Sequence, residues 1–473
     1  MSALLDVMRT QYVRLPRSLK TAIAPALRLL PLSVRFGSTY WATRENIVRS
    51  QTDAQFVQQY QVAALRALLG RAFRHSRHFS GILQTILGAS CEPELAKFTP
   101  EDLPKLPVLT KLDLVEAPES FLIGGPGSFD VRFTSGSSGR PPAQIYLDRD
   151  RSVREFAFVH HIWSHIGYKA NDGRAILRDY AGNIASIENT WQYDPVLREL
   201  WLSPFHLNEA TMDQYLEMLH RYRVRFLYGV PSAITLLARH AMLHGWQPPR
   251  SFRGVLCASE TLFPDQRRLI SKSFGVSVIA HYGMTERVAI AGELVDGPET
   301  YEFEPLYGIV ELVDNAGKPV TVPGQTGRIV CTGLFSKAMA LIRYDVGDRA
   351  TLVRPATFEN CYRLQVRDIQ SRWNQEFVVG KNGEKIGVIN LDRENYFGII
   401  QEYQYAQSIP GVAVFRVVPN PRATRAQVDA VLAEISDRVR GVVDFQLEIV
   451  PSIAVGPTGK RNYVDQQFAT VDR

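Results

Sequence analysis

Three short apolar runs, Arg225-Phe-Leu-Tyr-Gly229, Gly254-Val-Leu-Cys257 and Val276-Ser-Val-Ile-Ala-His281, constrain this chain more than any other feature. Each is followed by a helix-like stretch, and helices alternating with buried strands are the pattern of α/β layers around a sheet. Such sheets bind ligands at the C-terminal ends of their strands, which is where Glu260 and the segment from Tyr282 to Glu286 fall. Gln51 to Arg77 reads as one long helix. From Tyr307 to Leu352 the text turns to β-branched strands, with turns at Asp314-Asn-Ala-Gly317 and Pro323-Gly324, and reads as a small β subdomain presenting Asp348. A boundary near Ser371 to Gln375 sets off a last unit of about 100 residues, an ordinary size for a small domain. Helical text at Ala423 to Gly441 between strand-like runs makes that unit α+β.

The expected fold class is therefore α/β. A large multi-layer N-terminal domain, residues 1–371, combines βα subdomains with the small β subdomain, and residues 372–473 form a small mobile α+β domain. At 473 residues and 45% apolar the chain is too long for one core and long enough for two or three packed units.

Chemistry is concentrated first in Arg132-Phe-Thr-Ser-Gly-Ser-Ser-Gly-Arg-Pro141. Gly136 and Gly139 let the backbone approach an anion closely, Thr134, Ser135, Ser137 and Ser138 add hydroxyl donors, and Arg140 adds charge. Gly/Ser-rich loops also simply turn a chain, and the Gly-Lys-Ser/Thr of a Walker A loop is missing. The partners downstream decide between these readings.

Those partners are His281-Tyr-Gly-Met-Thr-Glu286, Tyr344-Asp-Val-Gly-Asp348 and Gly456-Pro-Thr-Gly-Lys460. Tyr282 offers a ring on which a purine can stack, Thr285 a hydroxyl for a phosphate oxygen, and Glu286 a hard oxygen ligand for Mg²⁺. Asp348 can accept from both hydroxyls of a ribose, and Lys460 is a mobile point charge. Taken singly, Thr285 and Glu286 are ordinary helix caps, Gly-Asp is a routine turn and Lys460 a solvated lysine. Their order and spacing favour a nucleotide site.

In that order the segments resemble the adenylate-forming superfamily of acyl- and aryl-CoA ligases, luciferases and peptide-synthetase adenylation domains. Thr134 to Pro141 is similar to its phosphate loop Thr-Ser-Gly-Thr-Thr-Gly-Lys-Pro, with serines for two threonines and Arg140 for lysine. Cys257-Ala-Ser-Glu260 resembles the adenine-lining segment, which implies Ala258, Ser259 and Glu260 as nucleotide contacts together with Tyr282, Gly283 and Met284. Asp348 matches the ribose carboxylate, and Lys460 the C-terminal adenylation lysine. The tracts Leu202-Ser-Pro-Phe-His-Leu-Asn208, Leu227-Tyr-Gly-Val-Pro-Ser232 and Tyr282 to Arg287 resemble the phenylacetate-CoA ligase family and its branch named for capsular-polysaccharide biosynthesis. The family hinge, Gly-Arg-x-x-Asp, departs here to Gln370-Ser-Arg-Trp-Asn-Gln-Glu376. Arg372 is kept, glycine becomes Ser371, and Gln375-Glu376 stands where the acid is expected.

The resemblance implies activation of a carboxylic acid by ATP with release of pyrophosphate, then transfer to CoA. The loop would grip the β and γ phosphates and Glu286 would hold Mg²⁺. Lys460 would bridge the carboxylate and the α phosphate after the C-terminal unit closes, pivoting near Arg372. An acyl pocket beside the adenine segment would be lined by Tyr228, Gly229, Ala258 and His281, with His206 and Asn208 as pocket or turn residues. His281 could orient a polar acyl group or simply pack. The acceptor stays open between CoA and an amine or hydroxyl of a sugar. A binding protein that kept the fold and lost catalysis is the alternative class, and the joint presence of Glu286, Asp348 and Lys460 speaks against it. The oligomeric state is open and a dimer is admitted.

A net charge of +6 fits ATP, pyrophosphate and CoA as partners, and the scattered basic residues carry no nucleic-acid-reading motif. Residues 1 to 45 form a separate basic segment. Arg9, Arg14, Arg17, Lys20, Arg28 and Arg35 face a single acid, Asp6, across residues 1 to 40, so the segment can lie on an anionic membrane or pack on its own domain. Arginines and prolines break up any signal-peptide core, and no apolar run is long enough to span a membrane. Cys91, Cys257, Cys331 and Cys361 form no CxxC pair, as expected of idle thiols in the cytoplasm.

Overall fold

The computed structural model describes residues 17–88, 91–125, 129–133, 143–148, 151–178, 190–204, 207, 209–262, 264–370, 377–387, 391, 399–419, 422–453 and 464–468. The chain divides into two compact units. One comprises Met1–Arg132, Ile145–Ser203 and Glu209–Gln370, the other Phe133–Gln144, Pro204–Asn208 and Ser371–Arg473.

Among the described residues fourteen strands precede residue 371: β1 (Phe129–Phe133), β2 (Gln144–Asp148), β3 (Arg174–Leu177), β4 (Trp191–Asp194), β5 (Glu199–Leu202), β6 (Phe226–Gly229) and β7 (Gly254–Ala258), then β8 (Ser277–Gly283), β9 (Ile290–Leu294), β10 (Gly297–Phe303), β11 (Gly308–Val313), β12 (Thr326–Gly333), β13 (Tyr344–Arg354) and β14 (Gln365–Gln370). β1 and β2 form a two-stranded sheet. The other twelve make one sheet in the order β11-β12-β13-β14-β10-β9-β8-β7-β6-β3-β5-β4. Toward its β4 edge β5, β3, β6, β7 and β8 run parallel.

The parallel strands form because most of their residues are apolar and buried, charged Arg174 and Glu199 being buried as a pair. β3 and β7 are buried at every residue, as strands covered on both faces must be. Helices Pro231–Leu243 and Pro264–Phe274 make the crossovers from β6 to β7 and from β7 to β8. Each begins on a proline, whose missing N–H is no loss in a first turn. Helix Arg151–Ser164 adds Phe158, Ile162 and Trp163 to a core shared with Tyr168, Phe226, Leu256 and Ile279.

Three expectations are corrected by the structure. No helix follows β8, because the chain turns at Met284 to Arg287, where Arg287 N donates to Met284 O at 3.1 Å, and enters antiparallel β9. The strands read between Tyr307 and Leu352 are present and pair antiparallel, but do not form a sheet of their own. β14 pairs with both β13 and β10, and so joins them to the α/β strands. The helix read over 51–77 covers Ala54–His75, because the Asp53 carboxylate accepts from Phe56 N at 2.8 Å to start it and extended Ser76 begins the next helix, Arg77–Leu87.

The N-terminal segment forms helices Arg17–Leu29 and Leu32–Arg49, separated at Pro31. Along the first, Leu19, Ala22, Ala26 and Leu29 recur at i, i+3, i+7 and i+10 and all are exposed, Leu29 at 86%. Lys20 and Ala24, on another face, are buried, with Lys20 3.8 Å from Asp194. Among the described residues no helix is long and apolar enough to cross a membrane.

In the second unit β15 (Phe377–Val379) pairs with β16 (Lys385–Gly387), while β17 (Ile400–Ile409), β18 (Val412–Pro419), β19 (Asp444–Ile449) and β20 (Val464–Gln466) form a sheet in the order β19-β18-β17-β20. Helix Arg425–Arg438, capped by Thr424, contributes Val428, Val431 and Ile435 to a core with Tyr405 and Phe415. This unit is α+β.

Candidate functional site

The C-terminal ends of β3, β6, β7 and β8 lie side by side, with Leu177 opposite Gly229, Gly229 opposite Cys257, and Ala258 opposite His281. Three of the candidate positions, Gly229, Ala258 and His281, are thus brought together by strand pairing alone. Gly229 is required by the backbone. A Cβ there would stand 2.2 Å from the Leu177 carbonyl oxygen, so its first role is to let β3 and β6 approach. Beyond β7, Ala258 is buried while Ser259 is exposed at φ 74°, a left-handed conformation that non-glycine residues rarely hold. That turn presents Ser259 and half-buried Glu260 at the sheet's ligand edge.

Tyr282 and Asp348 meet across 66 positions of sequence, Tyr282 Oη donating to Asp348 Oδ2 at 2.8 Å. The ladder shows how Asp348 arrives there. Arg328 pairs with Arg349 and Val330 with Asp345, so Ile329 of β12 stands alone opposite Val346, Gly347 and Asp348 of β13. Such a bulge bends the strand and re-aims a side chain, and Gly347 takes it at φ 85°. Asp345 stabilises the turn by accepting from Gly347 N at 2.8 Å and from Arg328 Nη1 at 2.6 Å. Burial and the neighbouring Asp348 carboxylate push the Tyr282 phenol well above its ordinary range, so it remains a donor.

Glu286 is tied to the same strand. Tyr344 Oη donates to Glu286 Oε1 at 3.0 Å, and no described residue bonds Oε2. The cleft beside Glu286 is walled by Asp148, Arg154, Glu155, Arg287 and Tyr307. Glu155 accepts from Tyr307 Oη and lies 3.8 Å from Arg287 Nη1. Among the described residues no cluster of three His, Cys, Asp or Glu side chains could cage a metal. One carboxylate with a spare oxygen suits Mg²⁺, which keeps most of its shell for water and phosphate oxygens. Thr285 is exposed and Met284 half-buried in the same turn.

Around His281 the site is aromatic. Its ring lies near-parallel to Tyr228 at 6.1 Å and edge-on to Trp163 at 5.9 Å. Trp163 Nε1 donates to His281 Nδ1 at 3.4 Å, an assignment that places the ring proton on Nε2. Burial, aided by the Arg178 charge, lowers His281 to about 3, so the ring is neutral at physiological pH. Arg178, immediately after β3, donates through Nη1 to Tyr228 Oη.

The structure thus gathers Tyr228, Gly229, Ala258, His281 and Tyr282 along one sheet edge, and links Tyr282 to Asp348 and Glu286 to Tyr344. Thr134, Ser135, Gly136, Ser137, Ser138, Gly139 and Arg140 of the loop, His206, the hinge with Arg372, and Lys460 lie outside the described residues. Sequence reading passed over Trp163, Arg178 and Glu155 and gave Tyr344 no role. Tyr344 had a signal, since it opens the Tyr-x-x-Gly-Asp tract.

The chain is similar to known proteins by family profile, by sequence and by fold. The profile of the family described as AMP-binding enzyme matches residues 201–336. Protein CapK of Staphylococcus aureus is 22% identical over 377 residues, 78% of this chain and 81% of CapK. Phenylacetate-coenzyme A ligase of Pseudomonas putida is 23% identical over 274 residues, 56% of this chain and 60% of the ligase. The fold is that of a 2-hydroxyisobutyryl-CoA ligase solved with 2-HIB-AMP and CoA, with TM-score 0.58, 17% identity, and 89% and 92% of the two chains covered.

Proposed function

We propose that this adenylate-forming enzyme, akin to CapK and the phenylacetate-CoA ligases, joins a carboxylic acid to AMP from ATP, releases pyrophosphate, and passes the acyl group to CoA. The observation that carries this reading is the Tyr282–Asp348 hydrogen bond, which unites the aromatic and ribose-type motifs at one sheet edge.

A carboxylate is a poor electrophile and is repelled by a triphosphate. Binding ATP on the Tyr282 ring with its ribose on Asp348 fixes the α phosphorus for attack. Mg²⁺ held through Glu286 would neutralise phosphate oxygens, and Tyr344 keeps that carboxylate in one rotamer. Thr134 to Arg140 grip the β and γ phosphates, with Thr285 as a further hydroxyl. Lys460 supplies positive charge between the acid and the α phosphate as the new C–O–P linkage forms, a contribution of about 3 kcal/mol for one such group. In this reading residues 1–371 bind nucleotide and acid, residues 372–473 bring Lys460, and Arg372 marks the pivot. Tyr228, His281 and His206 line the acyl pocket.

A second reading sends the acyl group to an amine or hydroxyl of a sugar. The longer alignment with CapK, 377 residues against 274, favours keeping it. The enzyme acts in the cytoplasm, and its N-terminal helices, with Leu29 exposed, touch an anionic membrane surface.

The test is carboxylate-dependent exchange of labelled pyrophosphate into ATP over a panel of aryl, fatty and amino acids, with Lys460→Ala as control. Exchange with one acid class, lost in the variant, supports adenylation. Product mass with and without CoA then identifies the acceptor.

A further inference from the structure

We infer that Arg178 is a specificity-determining residue that receives a second carboxylate on the acyl substrate, so that the acids this site prefers are dicarboxylic. This rests on the acid-activating reading above.

Among the described residues Arg178 is a cation without an anionic partner. Arg178 is half-buried, its Cζ lies 5.3 Å from the centre of the Tyr228 ring, and it forms no ion pair with a described residue. Buried arginines elsewhere in this unit are paired: Arg174 with Glu199, Arg343 with Glu311, and Arg363 with Glu302 and Glu304. A guanidinium stays protonated at any working pH, so a desolvated one without an anion is costly unless a ligand supplies it.

Its place is at the ligand edge of the sheet. Arg178 follows Leu177, the last residue of β3, which pairs with Gly229 at the end of β6. One donor, Nη1, is engaged by Tyr228 Oη, itself a neutral group. The remaining donors form the planar fork that matches a carboxylate with two parallel hydrogen bonds. Beside it, neutral His281 keeps Nε2–H as a second donor, and the half-buried Tyr228 ring, backed by buried Trp163, gives a flat apolar wall for the body of the acid. A site with an unpaired cation discriminates strongly between a ligand that supplies the charge and an isostere that does not.

The experiment uses the full chain and matched acids on one skeleton, benzoate with terephthalate and butyrate with succinate, in the pyrophosphate exchange assay. In the wild type the diacid of the favoured skeleton is expected to exceed its monoacid by about tenfold or more in kcat/KM. Arg178→Met should erase that preference, bringing the diacid-to-monoacid ratio of kcat/KM to about one, through a rise in KM for the diacid. Arg178→Lys, which keeps the charge without the fork, should fall between them. A wild type that favours monoacids, or a diacid preference that survives Arg178→Met, overturns the inference. So does an equal loss with both acids, which would assign Arg178 to the reacting carboxylate or to the fold. Thermal shift with the acids alone separates this from the adenylation reading. Stabilisation by the diacid in the wild type but not in Arg178→Met supports the subsite even where exchange is absent, and its failure there sinks the subsite.

Discussion

Tyr282 Oη donates to Asp348 Oδ2 at 2.8 Å, so the ring proposed to stack on the purine and the carboxylate proposed to hold the ribose are joined in one arrangement. Each fixes the other. Tyr282 is anchored at the end of β8, and Asp348 is carried on the β13 bulge opposite Ile329.

Tyr282→Phe keeps the stacking ring and removes the donor that Asp348 Oδ2 accepts from. A hydrogen bond to a charged group contributes about 1.5–3 kcal/mol, so KM for ATP in pyrophosphate exchange should rise by about tenfold or more. KM for the acid should stay unchanged. An unaltered KM for ATP would show that the bond does not organise the nucleotide site.

Tyr344→Phe tests the hold on Glu286. Freed of its partner at 3.0 Å, the carboxylate samples other rotamers, and the expected outcome is a higher Mg²⁺ requirement with a fall in kcat of about fivefold, near 1 kcal/mol. Glu286→Gln should cost far more. Magnesium titration of the exchange rate distinguishes the two variants.

Gly229→Ala should destabilise the fold before it alters specificity. The new methyl meets the Leu177 carbonyl at 2.2 Å, and relieving overlap of that kind typically costs about 1–3 kcal/mol. The melting temperature should fall by several degrees, with loss of activity tracking loss of folded protein. A folded, fully stable variant with altered acid preference would instead assign Gly229 to the pocket alone.

Acid should unfold this protein through its buried histidines. Burial lowers His281 and His161 from 6.5 to about 3 and His160 well below 6.5. Their neutral form is the folded one, so the stability tied to it is present above pH 6.5. It is lost as pH falls below that value, where the unfolded chain takes up protons that the folded chain refuses. In His281→Gln the slope of unfolding free energy against pH between 6 and 4 should lessen by up to about 1.4 kcal/mol per pH unit. Denaturant melts across that range measure it.

The N-terminal helices should bind vesicles containing anionic lipid and ignore zwitterionic ones. Leu29→Asp with Leu30→Asp should abolish sedimentation and leave pyrophosphate exchange intact, since neither residue belongs to the site. Binding to both lipid types, or persistence in the double variant, would count against membrane contact.

Strands β6, β7 and β8 were legible because a strand covered on both faces is written as a continuous apolar run. Tyr282, Glu286 and Asp348 were legible because their motifs are contiguous. Arg178 was not, since a lone arginine after Arg174-Ala-Ile-Leu177 looks like any surface residue until β3 is paired beside Gly229. The bulge at Val346–Asp348 and the turn at Ser259 were hidden for a related reason. Sequence shows which residues tolerate a conformation, while the partner strand decides which one is imposed. The continuity of β11–β14 with the α/β strands escaped because Gln365-Val-Arg-Asp-Ile-Gln370 is mostly polar, and its text does not reveal that both edges are taken.

That continuity sets a limit on how the chain can be cut and recombined. With β14 hydrogen-bonded on one side to β13 and on the other to β10, excising residues 308–354 as a module would bare two strand edges at once, on the excised piece and on what it left behind. Specificity grafted from a relative by exchanging that segment alone should yield aggregates. Exchanges that take the sheet as a whole, or only the loops at its ligand edge, keep every ladder closed.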